Sequence, residues 1–115
     1  IRRQRQMCIR DSTLIYAPDT RAHLRAIEAR HYSLIRRTIE EQLSFQPDVP
    51  IRNRKVLTRT AVFAGNEATW ELRFGPGNEF RVFYALDTSS LTVFILAIGV
   101  KNGNRLFIAD QEITL

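Results

Sequence analysis

The stretch that decides the fold is Trp70-Glu71-Leu72-Arg73-Phe74-Gly75-Pro76-Gly77-Asn78-Glu79-Phe80-Arg81-Val82-Phe83-Tyr84. Trp70, Leu72 and Phe74 alternate with Glu71 and Arg73, the period of two that puts apolar side chains on one face of a strand. Phe80, Val82 and Tyr84 repeat the pattern against Arg81 and Phe83. Gly75-Pro76-Gly77-Asn78 between them is a turn signal. Pairing the two apolar sets requires a tight loop at Pro76-Gly77-Asn78. The same register sets Arg73 directly across from Arg81 on the other face. Like charges so opposed destabilise a sheet, so an anion or carboxylate is expected beside them. Glu71, two residues along that face, is the internal candidate, and a bound phosphate is the external one. The aromatic residues Trp70, Phe74, Phe80 and Tyr84 are read as core, and Phe83 as the open-face ring available to stack on a base.

Outward from this hairpin, Asp87-Thr88-Ser89-Ser90 forms a second turn and Leu91–Val100 a buried strand. Asn102-Gly103-Asn104 turns again before a short run at Leu106-Phe107-Ile108. On the other side, Gln46–Ala64 carries Pro47, Pro50 and a basic cluster and reads as a loop with little regular structure. Ile35, Ile39 and Leu43 recur at helical spacing opposite Arg36, Arg37, Glu40 and Glu41, predicting an amphipathic helix that ends before Pro47. Ala22, Leu24, Ala26, Ile27 and Ala29 predict a preceding helix of about ten residues. Thr13–Tyr16 is a short strand closed by Pro18. The expected architecture is α+β in the order β-α-α-β-β-β(-β), a two-helix hairpin packed on one face of a small twisted antiparallel sheet.

The chain has 115 residues, 44% hydrophobic and 25% charged, enough for one domain with a modest core. No window holds ~18 uninterrupted apolar residues, which excludes a membrane-spanning helix. Net charge is +5, and only two of the 17 basic residues are lysine. Most of the positive charge is therefore the fork-donating kind that suits phosphate. Residues 1–12 (IRRQRQMCIRDS) hold four arginines and one aspartate, +3 of that total, with the chain's one Met and one Cys. They show no helix or strand period and resemble a translated adapter scar, so they are read as a non-native or disordered segment. Residues 13–115 are then read as a single domain of charge +2, with no cysteine. Basicity becomes a matter of position.

The positions are Arg52, Arg54, Lys55 and Arg59 in the loop, Arg73 and Arg81 on the sheet, and Lys101 and Arg105 around the last turn. Four cations within eight positions can follow a nucleic-acid backbone through charge-assisted hydrogen bonds. The alternative at each place is a solvated charge. His23 and His31 stand apart from any Cys or carboxylate cluster, so no metal site is expected. No Gly-x-Ser-x-Gly setting, Cys–His pair or phosphate-binding glycine loop is present.

WELRFG (70–75), FRVFY (80–84) and ILAIGVKNGNRLFI (95–108), in that order, resemble the RelE/ParE superfamily of type II toxin–antitoxin toxins. IYAPDTRAHL (15–24) and the basic run 52–55 are similar to a RelE-like subgroup. The resemblance implies a cytoplasmic bacterial toxin that cleaves mRNA on the ribosome without metal or cofactor, the RNA 2′-hydroxyl attacking the adjacent phosphate. It implies a cognate antitoxin as partner. Taken with the register and the basic clusters, Arg73, Arg81, Lys101 and Arg105 are the catalytic candidates, and Arg52, Arg54, Lys55, Arg59 and Phe83 the RNA-binding ones. Arg73 matches the strand arginine and Lys101 the basic residue after the buried strand. Asn102 stands where the pattern has arginine, and Phe107 where it has tyrosine. Phenylalanine cannot transfer a proton. The alternative is a ParE-like DNA gyrase inhibitor, or a toxin homologue that only binds its antitoxin.

Overall fold

A computed structural model describes residues 12–44 and 47–114. Residues 1–11, most of the N-terminal segment read as non-native or disordered, lie outside them. The elements are β1 (Thr13–Tyr16), α1 (Thr20–Arg25), a 3-10 turn (Ala29–His31), α2 (Tyr32–Leu43), β2 (Arg54–Phe63), β3 (Asn66–Phe74), β4 (Phe80–Asp87), β5 (Thr92–Asn102), β6 (Arg105–Ile108) and β7 (Gln111–Ile113). The class is α+β. The sheet runs β2-β3-β4-β5-β6-β7, and β1 pairs with β5. Among the described residues, no helix is long and apolar enough to cross a membrane.

The hairpin that organises the sequence forms in the expected register: Trp70 faces Tyr84, Leu72 faces Val82, and Phe74 faces Phe80. The turn between them is a 3-10 turn in which Gly77 and Asn78 have φ of 62° and 55°. Gly and Asn tolerate that left-handed geometry better than other residues. Ile35, Ile39 and Leu43 are fully buried on this face of the sheet, in one cluster with Trp70, Leu72, Phe80 and Tyr84. Each such aliphatic side chain contributes about 1.5–3 kcal/mol through removal from water.

Three features differ from the sequence-based expectation. First, 54–63 is a strand, where a loop is expected over Gln46–Ala64. Its alternation is hidden by a bulge: Val56 faces Trp70 and Ala61 faces Ala68, so Leu57–Thr60 stand opposite Thr69 alone. A bulge breaks the period of two on which strand recognition depends. Ala64 (φ 52°) and Gly65 (φ 82°) close the hairpin in the mirror-turn geometry that suits sheet twist.

Second, the sheet has seven strands and is mixed. β1 runs parallel to β5, because two helices carry the chain back over the same face before β2 begins. The β6–β7 hairpin adds one strand, β7, beyond the short run expected at Leu106-Phe107-Ile108. Gly99 permits its approach, since a Cβ there would lie 2.8 Å from the Phe107 carbonyl oxygen. Third, α1 has six residues, where about ten are expected. Fewer than two turns gain little from local hydrogen bonding, and the chain is extended by Glu28 (ψ 136°).

The opposite face of the sheet is also packed. Phe83, Ala97, Ala68, Leu96 and Ile108 form a second buried cluster, flanked by Leu57, Phe63, Leu106 and Ile113. The curl of β2 and of β6–β7 over this face covers what an isolated hairpin would leave open.

β5 pairs with β1 through Ile95 and with β6 from Val100 onward, which leaves a gap between them. His23 fills it: its Nδ1 accepts a 3.2 Å hydrogen bond from the Ile98 N–H. An accepting Nδ1 must be unprotonated. Burial, opposed by the Asp19 charge, holds the imidazole below its usual value. As pH falls, the unfolded chain therefore takes up this proton first, so the His23 contribution is complete above about pH 6.5 and is lost on acidification through the folded-state value. The melting temperature of the wild type is expected to fall between about pH 7.5 and about pH 5.5. His23→Leu should be less stable at the higher pH and lose part of that slope. Equal slopes in the two proteins, measured by thermal unfolding, would refute the assignment.

Candidate functional site

On the face away from α2, Arg73 stands directly across from Arg81, as the register requires. Glu71 reconciles them. Its Oε1 lies 3.0 Å from Arg73 Nε, and its Oε2 lies 3.2 Å from Arg81 NH1. Lys55, opposite Glu71 on β2, brings Nζ to 3.9 Å from the same Oε1. Glu71 is buried, and Arg81, also buried, is fixed by a second bond from Nε to the Asn78 carbonyl oxygen at 3.0 Å. Two like charges about 5 Å apart repel by roughly 3 kcal/mol at an effective dielectric of about 20. One carboxylate bridging both offsets that repulsion and leaves the cluster cationic.

These residues line a groove of about 360 Å3 together with Lys101, Asn104 and Leu106. The Lys101 backbone N–H donates to the Glu79 carbonyl oxygen at 2.7 Å, which ties the end of β5 to the turn before β4. Arg73 and Lys101 are half-buried and Lys55 is exposed, so three cations reach solvent around the buried Glu71, with the exposed Glu112 carboxylate also on the groove lining. Such a set is able to hold a phosphate group by charge-assisted hydrogen bonds. The apolar wall contributed by Leu57, Leu106 and Ile113 reduces dielectric screening of those bonds.

Other residues singled out by sequence lie elsewhere. Arg54 belongs to β2, and alternation puts it on the helix face, opposite Leu72. It is buried, donating from Nε to the Val49 carbonyl at 3.0 Å and from NH1 to the Gln42 carbonyl at 2.8 Å. It thus caps the last turn of α2, where carbonyls lack helical partners and a cation is favourable. An RNA-binding role for Arg54 is replaced by this structural one. Phe83 is fully buried in the second cluster, 5.3 Å from the Phe63 ring, and is not open to a base. Arg105 lies on the helix face with Phe107, because Lys101 pairs with Leu106 while Asn102 pairs with Arg105. Its guanidinium sits 5.3 Å from the Phe107 ring and 2.9 Å from Glu112. Arg105 therefore does not join Arg73, Arg81 and Lys101. Arg52 is exposed in the turn before β2, and Arg59 is exposed in the bulge.

Tyr84 is buried in the core, and its hydroxyl donates to the Pro47 carbonyl at 2.9 Å. Burial pushes its phenol far above the ordinary value, so it holds its proton throughout the physiological range. His23, which the sequence offers no metal partners, instead completes a strand. Its partner is 75 residues away, and no local signal could have revealed it.

No protein-family model matches the chain, and no curated protein does.

Replacing Glu71 by Gln tests the electrostatic reading. The substitution keeps the shape and leaves Arg73 and Arg81 opposed without a counter-charge. A loss of about 3 kcal/mol is expected, the scale for removing one member of a buried ion pair. Added phosphate should raise the melting temperature of Glu71→Gln more than that of the wild type, since an anion can take the vacated position. Equal responses would show that the arginines do not form an anion site.

Proposed function

We propose that this protein is a RelE-like toxin whose cationic groove engages the sugar–phosphate backbone of mRNA on the ribosome, in the bacterial cytoplasm. The observation that carries the reading is the convergence of Lys55, Arg73, Arg81 and Lys101 on one groove, with a single buried carboxylate holding the arginines. The ordered resemblance of residues 14–115 to the RelE/ParE superfamily supplies the biological class. The order of β1, two helices and a hairpin meander is in keeping with it.

The reaction that fits the groove is attack of an RNA 2′-hydroxyl on the adjacent phosphate, with cleavage of the P–O5′ bond. Negative charge builds on the non-bridging oxygens in the transition state. Arg73 and Lys101, half-buried at fixed strand positions, provide donors for that charge. Arg81 acts beneath them by holding Glu71. As the P–O2′ bond forms, the 2′-hydroxyl proton passes to water, and as P–O5′ breaks, O5′ takes a proton from water. The products are a 2′,3′-cyclic phosphate and a 5′-hydroxyl. Glu71 is committed to two arginines, and Lys55 and Lys101 are placed to donate hydrogen bonds to the RNA oxygens.

One observation favours a second reading. Phe107 stands where the resemblance expects a tyrosine, and it lies with Arg105 on the opposite sheet face. On that reading the protein binds RNA or an antitoxin without cutting, or acts on DNA gyrase.

Binding to a short single-stranded RNA should weaken with salt. Three exposed or half-exposed cations give a slope of about −2 in log K against log salt. Arg73→Gln and Lys101→Gln should each reduce the slope by about 0.7, measured by fluorescence anisotropy. Mapping of mRNA ends after incubation with translating ribosomes separates the readings. New ends that disappear in Arg73→Gln support the nuclease; intact mRNA beside unchanged RNA affinity supports the binder. A salt-independent affinity would remove the groove from consideration.

A further inference from the structure

We propose that Asn78 is a positioning residue of the cationic groove. Its left-handed backbone aims two successive turn carbonyls at Arg81 and at Lys101, and so decides where the groove keeps its positive charge. The inference deepens the phosphate-groove reading above and rests on it.

The turn between β3 and β4 is held by its own backbone. The Asn78 N–H donates to the Gly75 carbonyl oxygen at 2.9 Å, and the Glu79 N–H to that of Pro76 at 3.2 Å. Gly75, Gly77 and Asn78 have φ of 83°, 62° and 55°, and the chain returns to φ −72° at Glu79. The carbonyls of Asn78 and Glu79 thus leave a left-handed residue followed by a right-handed one, and they serve different partners. The Asn78 oxygen accepts from Arg81 Nε at 3.0 Å. The Glu79 oxygen accepts from the Lys101 N–H at 2.7 Å. One reversal of backbone sense therefore fixes a side chain of β4 and the end of β5.

The turn has little room to move as a body. A Cβ at Gly75 would lie 2.5 Å from a ring carbon of the buried Phe80, which the His31 ring meets from 5.1 Å away. Asn78 itself is exposed, so packing does not demand an asparagine there. Its backbone does, because Asn visits the left-handed region more readily than other residues that carry a Cβ.

The consequence for the groove passes through Arg81. A free arginine samples many rotamers, but this one is held twice, by Nε at Asn78 and by NH1 at Glu71 Oε2. Loss of the Nε bond frees the guanidinium and releases Glu71 Oε2. Lys55 Nζ already lies 3.9 Å from Glu71 Oε1, so the released carboxylate closes on a cation that faces solvent. Asn78 acts at one remove: it fixes Arg81, and Arg81 keeps Glu71 from quenching the charge that an anion would meet.

The test uses the full chain, labelled with 15N, and inorganic phosphate as the probe. In the wild type, phosphate should shift the Arg73 and Lys101 amide signals saturably, and Arg81 Nε–H should exchange slowly with water. Asn78→Val, whose β-branched side chain resists left-handed backbone, should speed that exchange. It should also weaken phosphate binding roughly tenfold, the scale of one charge-assisted hydrogen bond. Asn78→Ala should act in the same direction to a smaller degree, and it decides the matter if the valine variant does not fold. Asn78→Gly keeps the geometry and should match the wild type. Gly65→Ala strains the β2–β3 turn, where φ is 82° and a Cβ meets nothing within 4 Å. It should lower the melting temperature without changing phosphate affinity, which separates positioning from general stability. Unchanged affinity in the valine and alanine variants, an equal loss in Asn78→Gly or Gly65→Ala, or weaker binding with Arg81 Nε–H still slow to exchange would each overturn the proposal. A wild type that binds no phosphate would overturn the groove reading itself, an outcome distinct from a groove that binds phosphate whatever stands at position 78.

Discussion

The structure depends on one carboxylate. The apolar alternation of β3 and β4 requires Arg73 and Arg81 to face each other, and the register cannot slip by one residue without turning Trp70, Leu72, Phe80 and Tyr84 to the wrong face. Hydrophobic burial thus forces a like-charge contact on the opposite face. Glu71 resolves it by accepting from both guanidinium groups. It lies on the same strand face as Arg73 because it is two residues away, and near Arg81 because β4 is hydrogen-bonded to β3. Core and cationic groove therefore come from the same pairing. A carboxylate that offsets one charge of several leaves an ordered excess of positive charge, which is the property a phosphate site needs.

The two faces of the sheet divide the polar residues by parity. Lys55, Glu71, Arg73, Arg81 and Lys101 lie on one face; Arg54, Arg105 and Phe107 lie on the other. Arg54 closes the carbonyl end of α2 and joins that helix to the segment around Val49. His23 closes the stretch of β5 that neither β1 nor β6 reaches. Each satisfies backbone groups that would otherwise be buried unpaired, and each does so with a side chain whose charge or tautomer is set by that task. Polar residues that hold the scaffold and polar residues that face ligand are thus distinguishable by which backbone groups they serve.

Legibility followed local period. Trp70–Tyr84, α2 and the long apolar run of β5 repeat cleanly, and their registers were readable, including the opposition of Arg73 and Arg81. β2 was not readable, because four bulged residues interrupt its alternation, and with it went the assignment of Arg54. As loop residues, Arg52, Arg54, Lys55 and Arg59 look equivalent. As residues on and around a strand, they point in different directions. Phe83 was placed on an open face because nothing local announces that β6 and β7 curl over it. β7 itself is three residues long, below the length at which alternation is informative.

The sequence by itself determined the α+β class, the central hairpin and its register, the apolar face of α2, and the need for a counter-charge beside Arg73 and Arg81. These follow from periods of two and 3.6, which are properties of neighbouring residues. Only the tertiary structure decided which cations share a groove, that Arg105 and Phe107 belong to the other face, that β1 runs parallel to β5, and that His23 completes a strand 75 residues away. Those outcomes depend on strand order, bulges and the curl of the sheet. They are set by the packing of distant segments against each other, and no short window of sequence contains both partners.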